Sequence, residues 1–277
     1  MKRLFIVVGT VLGLALPLLA QQQAQEEERV RQIPSGRPGP TATDPALING
    51  PVPRLHDGKP DLTGPWVGGG SDADIEREGG LKPGELPLLP WARELRAKRE
   101  KATYEEPYIY CLPMSVPRVN PYPWKFAMAY TAKGLTQIYL LHETGDAGAH
   151  RVVYMDGRKH PPDPFPTWWG HSIGWWEGDT LVIDTVGYND KFWFDARGTP
   201  HTEQLHTVER WTRVNYGTLN LDFTLEDPGA LSRPVQLKFT ARLAAPGIDL
   251  MEYICTENNQ LGIAGGYRLN NDGKLAK

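Results

Sequence analysis

The chain has 277 residues, with 30 basic and 33 acidic side chains and a formal charge of −3. That balance offers no basic patch of the kind that neutralises phosphates, which argues against nucleic acid as a partner. The unusual parts of the composition are nine tryptophans and only two cysteines, and six of the indoles (Trp168, Trp169, Trp175, Trp176, Trp193 and Trp211) fall within one stretch.

At the N-terminus Lys2 and Arg3 precede an uncharged apolar run from residue 4 to 19, and Ala20 offers a small residue before a Gln-rich stretch. This is the layout of a secretory signal peptide over residues 1–20, and the run is short for a membrane span. No span is expected after cleavage, and the absence of a cysteine just beyond the run argues against a lipid anchor. The expected location is the periplasm or the medium. In such an oxidising compartment the pair Cys111 and Cys255 predicts a disulfide.

Residues 21–58 are rich in Gln, Glu, Pro and Gly without a sustained hydrophobic period, and predict a disordered or extended leader. A single domain is expected over residues 59–277. Pro90 and the run 91–102 predict one short helix, with Trp91, Leu95 and Ala102 on a shared face. The Pro-rich segment 107–123 is unsuited to a central strand. The period then changes to two. Strands are predicted over 135–143 and over 151–155, the latter ending in the turn pair Asp156-Gly157. His171–Glu177 and Thr180–Val186 flank Gly178-Asp179, and 204–213 and Thr218–Glu226 flank Asn215-Tyr216-Gly217, as hairpins do. Val235–Leu243 and 250–256 complete the series. About eight strands with mostly short connections predict a mainly β fold. We expect an antiparallel barrel or barrel-like sandwich of lipocalin-like character, with a Pro-rich N-terminal wrap.

Side chains two apart on a strand share a face, so His206, Val208 and Arg210 point one way and Leu205, Glu209 and Trp211 the other. His171, Ile173 and Trp175 likewise share a face. Neither strand has a purely apolar side, which is what a polar barrel lumen produces. His171 and His206 are candidate acid–base groups, because imidazole exchanges protons near neutral pH when a carboxylate orients it. Glu203, Glu209 and Asp179 are the candidate partners. Trp168, Trp169, Trp175, Trp176 and Arg210 are candidate ligand-binding residues, since indoles stack on ring faces while a few polar groups fix orientation. The plain alternatives are that Gly178-Asp179 only turns the chain and that Glu209 and Arg210 pair with neighbours. His142, His150 and His160, near strand ends or turns, are expected to be solvated.

A metal site would use His201 and His206, with His171 and Glu203 as further ligands. The spacing matches no short metal motif, and five residues apart on a strand means opposite faces, so no metal ligand or cofactor is assigned. Gly170-His171-Ser172-Ile173-Gly174 has the letters of a nucleophile elbow, but it lies in a β-rich stretch and not on a strand-to-helix turn. There is no phosphate loop and no dinucleotide fingerprint.

Three segments carry a resemblance. Gly170-His171-Ser172-Ile173-Gly174, the run WEGDTLVIDT over residues 176–185 and the run PHTEQLHTVER over residues 200–210 are similar to motifs of a widespread family of exported bacterial proteins of unassigned function. The opening at residues 60–66, Cys111-Leu112-Pro113 and Asp156-Gly157-Arg158 resemble that family too. The resemblance implies export and marks the His-bearing stretch, but implies no activity. The residues themselves point to a secreted small-molecule binding protein, with a Trp- and His-lined cavity for a ring-bearing ligand such as a sugar or phenolic. The alternatives are a cofactor-independent lyase, isomerase or hydrolase using His with a carboxylate, a metal-assisted enzyme, and an envelope scaffold.

Overall fold

The computed structural model describes residues 40–120, 122–144 and 150–255, together with a pair of two-residue strands, Arg268–Leu269 and Leu275–Ala276. The predicted signal peptide and the leader before residue 40 lie outside the described residues.

Nine strands close a barrel: β1 (Trp66–Gly68), β2 (Trp124–Thr131), β3 (Gly134–His142), β4 (His150–Tyr154), β5 (His171–Glu177), β6 (Thr180–Val186), β7 (His206–Asn215), β8 (Thr218–Glu226) and β9 (Val235–Leu243). Each pairs with the next in sequence, and β9 returns to β1 with Trp66 opposite Leu243. Closure removes the edges that an open sheet would expose. The mainly β barrel is the predicted one, with one change of direction. β4 and β5 run parallel, joined at Val153 opposite Ser172 and Tyr154 opposite Ile173. Asp156-Gly157 therefore makes no hairpin. A parallel neighbour must be reached from the same end, and the Pro-rich segment 155–170 is the crossover that does so.

Two strands join the predicted set and one leaves it. β1 has only three residues, and β2 hides its alternation of Trp124, Phe126, Met128 and Tyr130 among alanines. Residues 250–255 form no strand, although their composition suits one. β9 already pairs with β8 on one side and β1 on the other, so the segment that follows it is not needed to close the barrel. Met251, Tyr253 and Ile254 are exposed there, while Cys255 is buried and bonded to Cys111, with Cα atoms 5.5 Å apart across 144 residues of sequence. That disulfide is the predicted one.

The inward rows follow the period of two. Leu219, Leu221, Phe223 and Leu225 of β8 and Val235, Leu237, Phe239 and Ala241 of β9 are buried, and they meet Trp66, Trp124, Phe126 and Trp211 in one core. On β7 the buried row is Thr207, Glu209 and Trp211, and His206, Val208 and Arg210 face outward, half-buried. Outside the barrel lie α1 (Pro45–Ile48), α2 (Ile75–Glu78) and α3 (Pro90–Arg99). α3 is the predicted helix, rotated. Its inner face is Ala92, Leu95, Arg96 and Arg99, while Trp91 points outward and donates from Nε1 to the Gly229 carbonyl at 2.9 Å. The rotation follows from charge partners, since Arg96 reaches Glu76 at 3.1 Å and Arg99 lies 4.8 Å over the Trp193 ring. From residue 40 the leader lies on the barrel: Thr41 bridges Ala244, and the carbonyls of Ile48 and Gly50 accept from the β7–β8 turn.

Candidate functional site

β5, β6, β7 and β8 stand side by side, and their register sets Ile173, Asp184, Val208 and Thr224 in one row across the wall. Ile183 and Thr185 are buried inward, so the period of two turns Asp184 outward between them. His206 stands opposite Glu226 one step along. Onto this wall the crossover lays His160.

These side chains form a continuous hydrogen-bonded run. Glu226 Oε2 lies 3.1 Å from His206 Nδ1, and His206 Nε2 lies 2.9 Å from Asp184 Oδ2. The other oxygen of Asp184 lies 2.8 Å from His160 Nε2, and His160 Nδ1 lies 2.8 Å from His171 Nδ1. The partners fix the protons. An ionised carboxylate only accepts, so His160 donates from Nε2 and, when neutral, has a bare Nδ1. That atom accepts from His171 Nδ1–H, and the lone pair of His171 is left at Nε2, which has no hydrogen-bond partner among the described residues. His206 meets a carboxylate at each nitrogen and is arranged as the doubly protonated imidazolium.

The electrostatics agree. The hydrogen bond to Asp184 raises the His206 pKa above its ordinary value against the opposing effect of burial, and Glu226 adds to it. Burial works against the charge on Asp184, but the hydrogen bonds from His206 and His160 outweigh it and hold the carboxyl below the usual range. Burial, then the neighbouring His160 and Arg158, push His171 down, which favours its neutral form. Tyr154 stacks on His171 at 5.3 Å between centroids.

Behind the wall, on the inward side, Ser172 and Thr185 serve a buried ion pair. Arg151 meets Glu209 at 2.6 Å, donates from Nε to Ser172 Oγ at 2.9 Å and reaches Thr185 Oγ1 at 2.5 Å. Trp211 Nε1 donates to the other oxygen of Glu209 at 3.0 Å. The polar inward face of β7 is thus consumed by a fixed network, and Glu209 is no partner for His206.

Of the predicted acid–base residues, His171 and His206 are brought together, through Asp184 and His160. Glu203 is exposed and makes no hydrogen bond among the described residues. Asp179 sits at the far end of the β5–β6 hairpin, where Arg54 grips both its oxygens at 2.7 Å. The indoles do not share one surface. Trp175 and Trp176 are consecutive on a strand and lie on opposite faces, the first half-exposed and the second against the core. Trp168 packs on the core, and Trp169 stacks on His142 at 5.4 Å with planes 6° apart. Arg210 pairs with Glu177, which also accepts from Trp175 Nε1.

Two expectations about histidines are corrected. His160 belongs to the site, and His142 is buried, with burial first and Arg151 second pushing its pKa down to about 3. His201 is buried against Phe192, with ring centroids 3.9 Å apart, so it joins neither His206 nor His171. Among the described residues no three His, Cys, Asp or Glu side chains converge as a metal-holding group. Asp184 carried a faint signal as the one charge within an otherwise uncharged strand. His160 carried none, because its contacts depend on the crossover.

Fold and wall together define a closed, mixed nine-stranded β-barrel that carries a histidine–carboxylate relay on its outer surface. No protein-family model, curated protein or solved structure matches the chain.

Proposed function

We propose that this chain is an exported enzyme, periplasmic or released, that moves a proton on a small ring-bearing molecule with His171 as the general base. The reaction class is a cofactor-independent lyase, isomerase or hydrolase. The observation that carries the reading is the unbroken run from Glu226 through His206, Asp184 and His160 to a free imidazole nitrogen. A general base needs a lone pair at its working pH and somewhere to put the charge it acquires. His171 Nε2 supplies the first. For the second, the proton on His171 Nδ1 can cross 2.8 Å to His160, whose positive charge then sits against Asp184. Reversal of the same transfers returns a proton to the product. The three motif segments each supply one member of the relay, His171, Asp184 and His206, which supports a common role for them. The apolar N-terminal run and the disulfide support export.

The test uses heavy water, because abstraction and return of a carbon-bound proton leaves deuterium in recovered material. Sugars, phenolics and cyclic acids are incubated with the protein and followed by NMR for conversion or deuterium uptake. His171→Ala is expected to slow the responsive compound by about 10²-fold or more. Asp184→Asn is expected to slow it too, and to bring the His206 titration down toward its ordinary value. Equal rates in His171→Ala and the parent would remove His171 as the base. A second reading, binding without turnover, is favoured by the half-exposed indole of Trp175 on the same face of β5 as His171. It prevails if a compound binds and is recovered with its protons unexchanged.

A further inference from the structure

Arg158 lies on the crossover two residues before His160, with its guanidinium 3.9 Å over the centre of the Tyr154 ring. The same ring stacks on His171, with planes 25° apart. Asp156 holds Nε at 2.9 and 3.1 Å and Nη2 at 2.6 Å. The guanidinium is thereby fixed in orientation at an exposed position, yet Nη1 donates to nothing among the described residues. A planar fork with one edge fastened and the other free is suited to a second carboxylate.

We propose that Arg158 is the anion anchor of this site, and that the molecule acted on is a small organic acid whose carboxylate docks on the free edge of Arg158 while His171 Nε2 takes its proton. The inference rests on the acid–base reading above and names its substrate class. Spacing is the first argument. The guanidinium and the imidazole are both seated on one phenol ring, at 3.9 and 5.3 Å from its centre. Contact with a common ring keeps the two groups within reach of one small molecule, and a cyclic acid can present a carboxylate to the first and a reacting centre to the second.

Charge is the second argument. The groups that reach His171 are Tyr154 from β4, His160 and Arg158 from the crossover and, through His160, Asp184 of β6, His206 of β7 and Glu226 of β8. The other charges of the crossover, Lys159 and Asp163, make no ion pair or hydrogen bond among the described residues. The relay therefore ends on the Glu226 carboxylate at β8, while at its His171 end stands the Arg158 cation of the crossover, and an acid meets that cationic end. While its free edge is empty, Arg158 also disfavours a proton on His171. A docked carboxylate cancels that effect, so the base gains strength as the substrate arrives.

Benzoate, a ring acid with no acidic carbon-bound proton of its own, is the probe, added to the full chain while the histidine rings are titrated by NMR. Saturating benzoate is expected to raise the His171 midpoint by about half a pH unit, the size of one charge acting across a partly exposed surface. Arg158→Gln should abolish the rise while leaving the benzoate-free His206 midpoint in place, which shows the relay intact. Arg158→Lys, which keeps the charge and loses the fork, should retain only part of it. An unmoved His171 in the parent protein, or an equal rise in Arg158→Gln, overturns the anchor. If benzoate fails while deuterium uptake by another compound still depends on His171, the anchor falls and the base stands. If benzoate behaves as expected and no compound exchanges, the anchor stands and the site binds acids without acting on them.

Discussion

His142 and His201 are the two histidines the fold buries most deeply, at 5% and 4% exposure, and neither is hydrogen-bonded to a carboxylate among the described residues. Burial pushes them down to about 3 and about 4. A depressed imidazole contributes stability that is fully present above its unfolded pKa near 6.5 and is lost as pH falls toward the folded value. Between pH 6.5 and about 4 the chain should lose several kcal/mol through these two rings. Urea unfolding at pH 7.5, 5.5 and 4.5 checks this, and His201→Phe should flatten part of the slope. His206 runs the other way. Its raised value gives a contribution present below pH 6.5 and lost as pH rises through the folded pKa. The sequence made His171 and His206 legible as candidates because they lie on strands with no apolar face. It did not pair them, since Asp184 lies 22 residues from His206 and 24 from His160, and only strand register and the crossover bring the three together.

Among the elements, the β5–β6 hairpin is the one on which the base depends. Gly170 enters it at φ +64°, and a Cβ there would stand 2.7 Å from Thr185 Cγ2 and 2.7 Å from the Val186 carbonyl. Gly170→Ala is expected to cost about 1–3 kcal/mol, read as a lower urea midpoint, and to move His171 off His160 in the imidazole NMR spectrum. That hairpin was legible, with Gly178-Asp179 between two strands whose bounds the structure reproduces. β8 and β9 were legible for a simpler reason, an unbroken alternation of apolar and polar residues. The parallel β4–β5 pair was not. Asp156-Gly157 is good hairpin chemistry, and nothing local tells the chain to leave it unused. The competing factor is the crossover, whose Thr167 accepts from Asn189 and donates to Gly187, tying the segment to the far side of β6.

For the molecule as a whole, one covalent tie spans 144 residues and joins the segment before β2 to the chain beyond β9. Chain entropy values such a bridge at roughly 5 kcal/mol, so the Cys111→Ser, Cys255→Ser variant should unfold at a much lower urea concentration than the parent. Full retention of the midpoint would mean that the barrel holds these segments without it. The barrel itself is unevenly joined. β7 and β8 share a ladder of nine partner pairs, whereas β4 and β5 share two and β1 and β2 share one. Backbone amides beside these two short ladders are where local opening should begin, and they should be among the first of the barrel amides to exchange with heavy water. His171 begins β5 and Arg158 follows β4, so a molecule held by both lies across the gap between those two strands. By mass action it stabilises the shut form, and slowed exchange at residues 151–154 and 171–174 would report an occupant before its chemistry is identified.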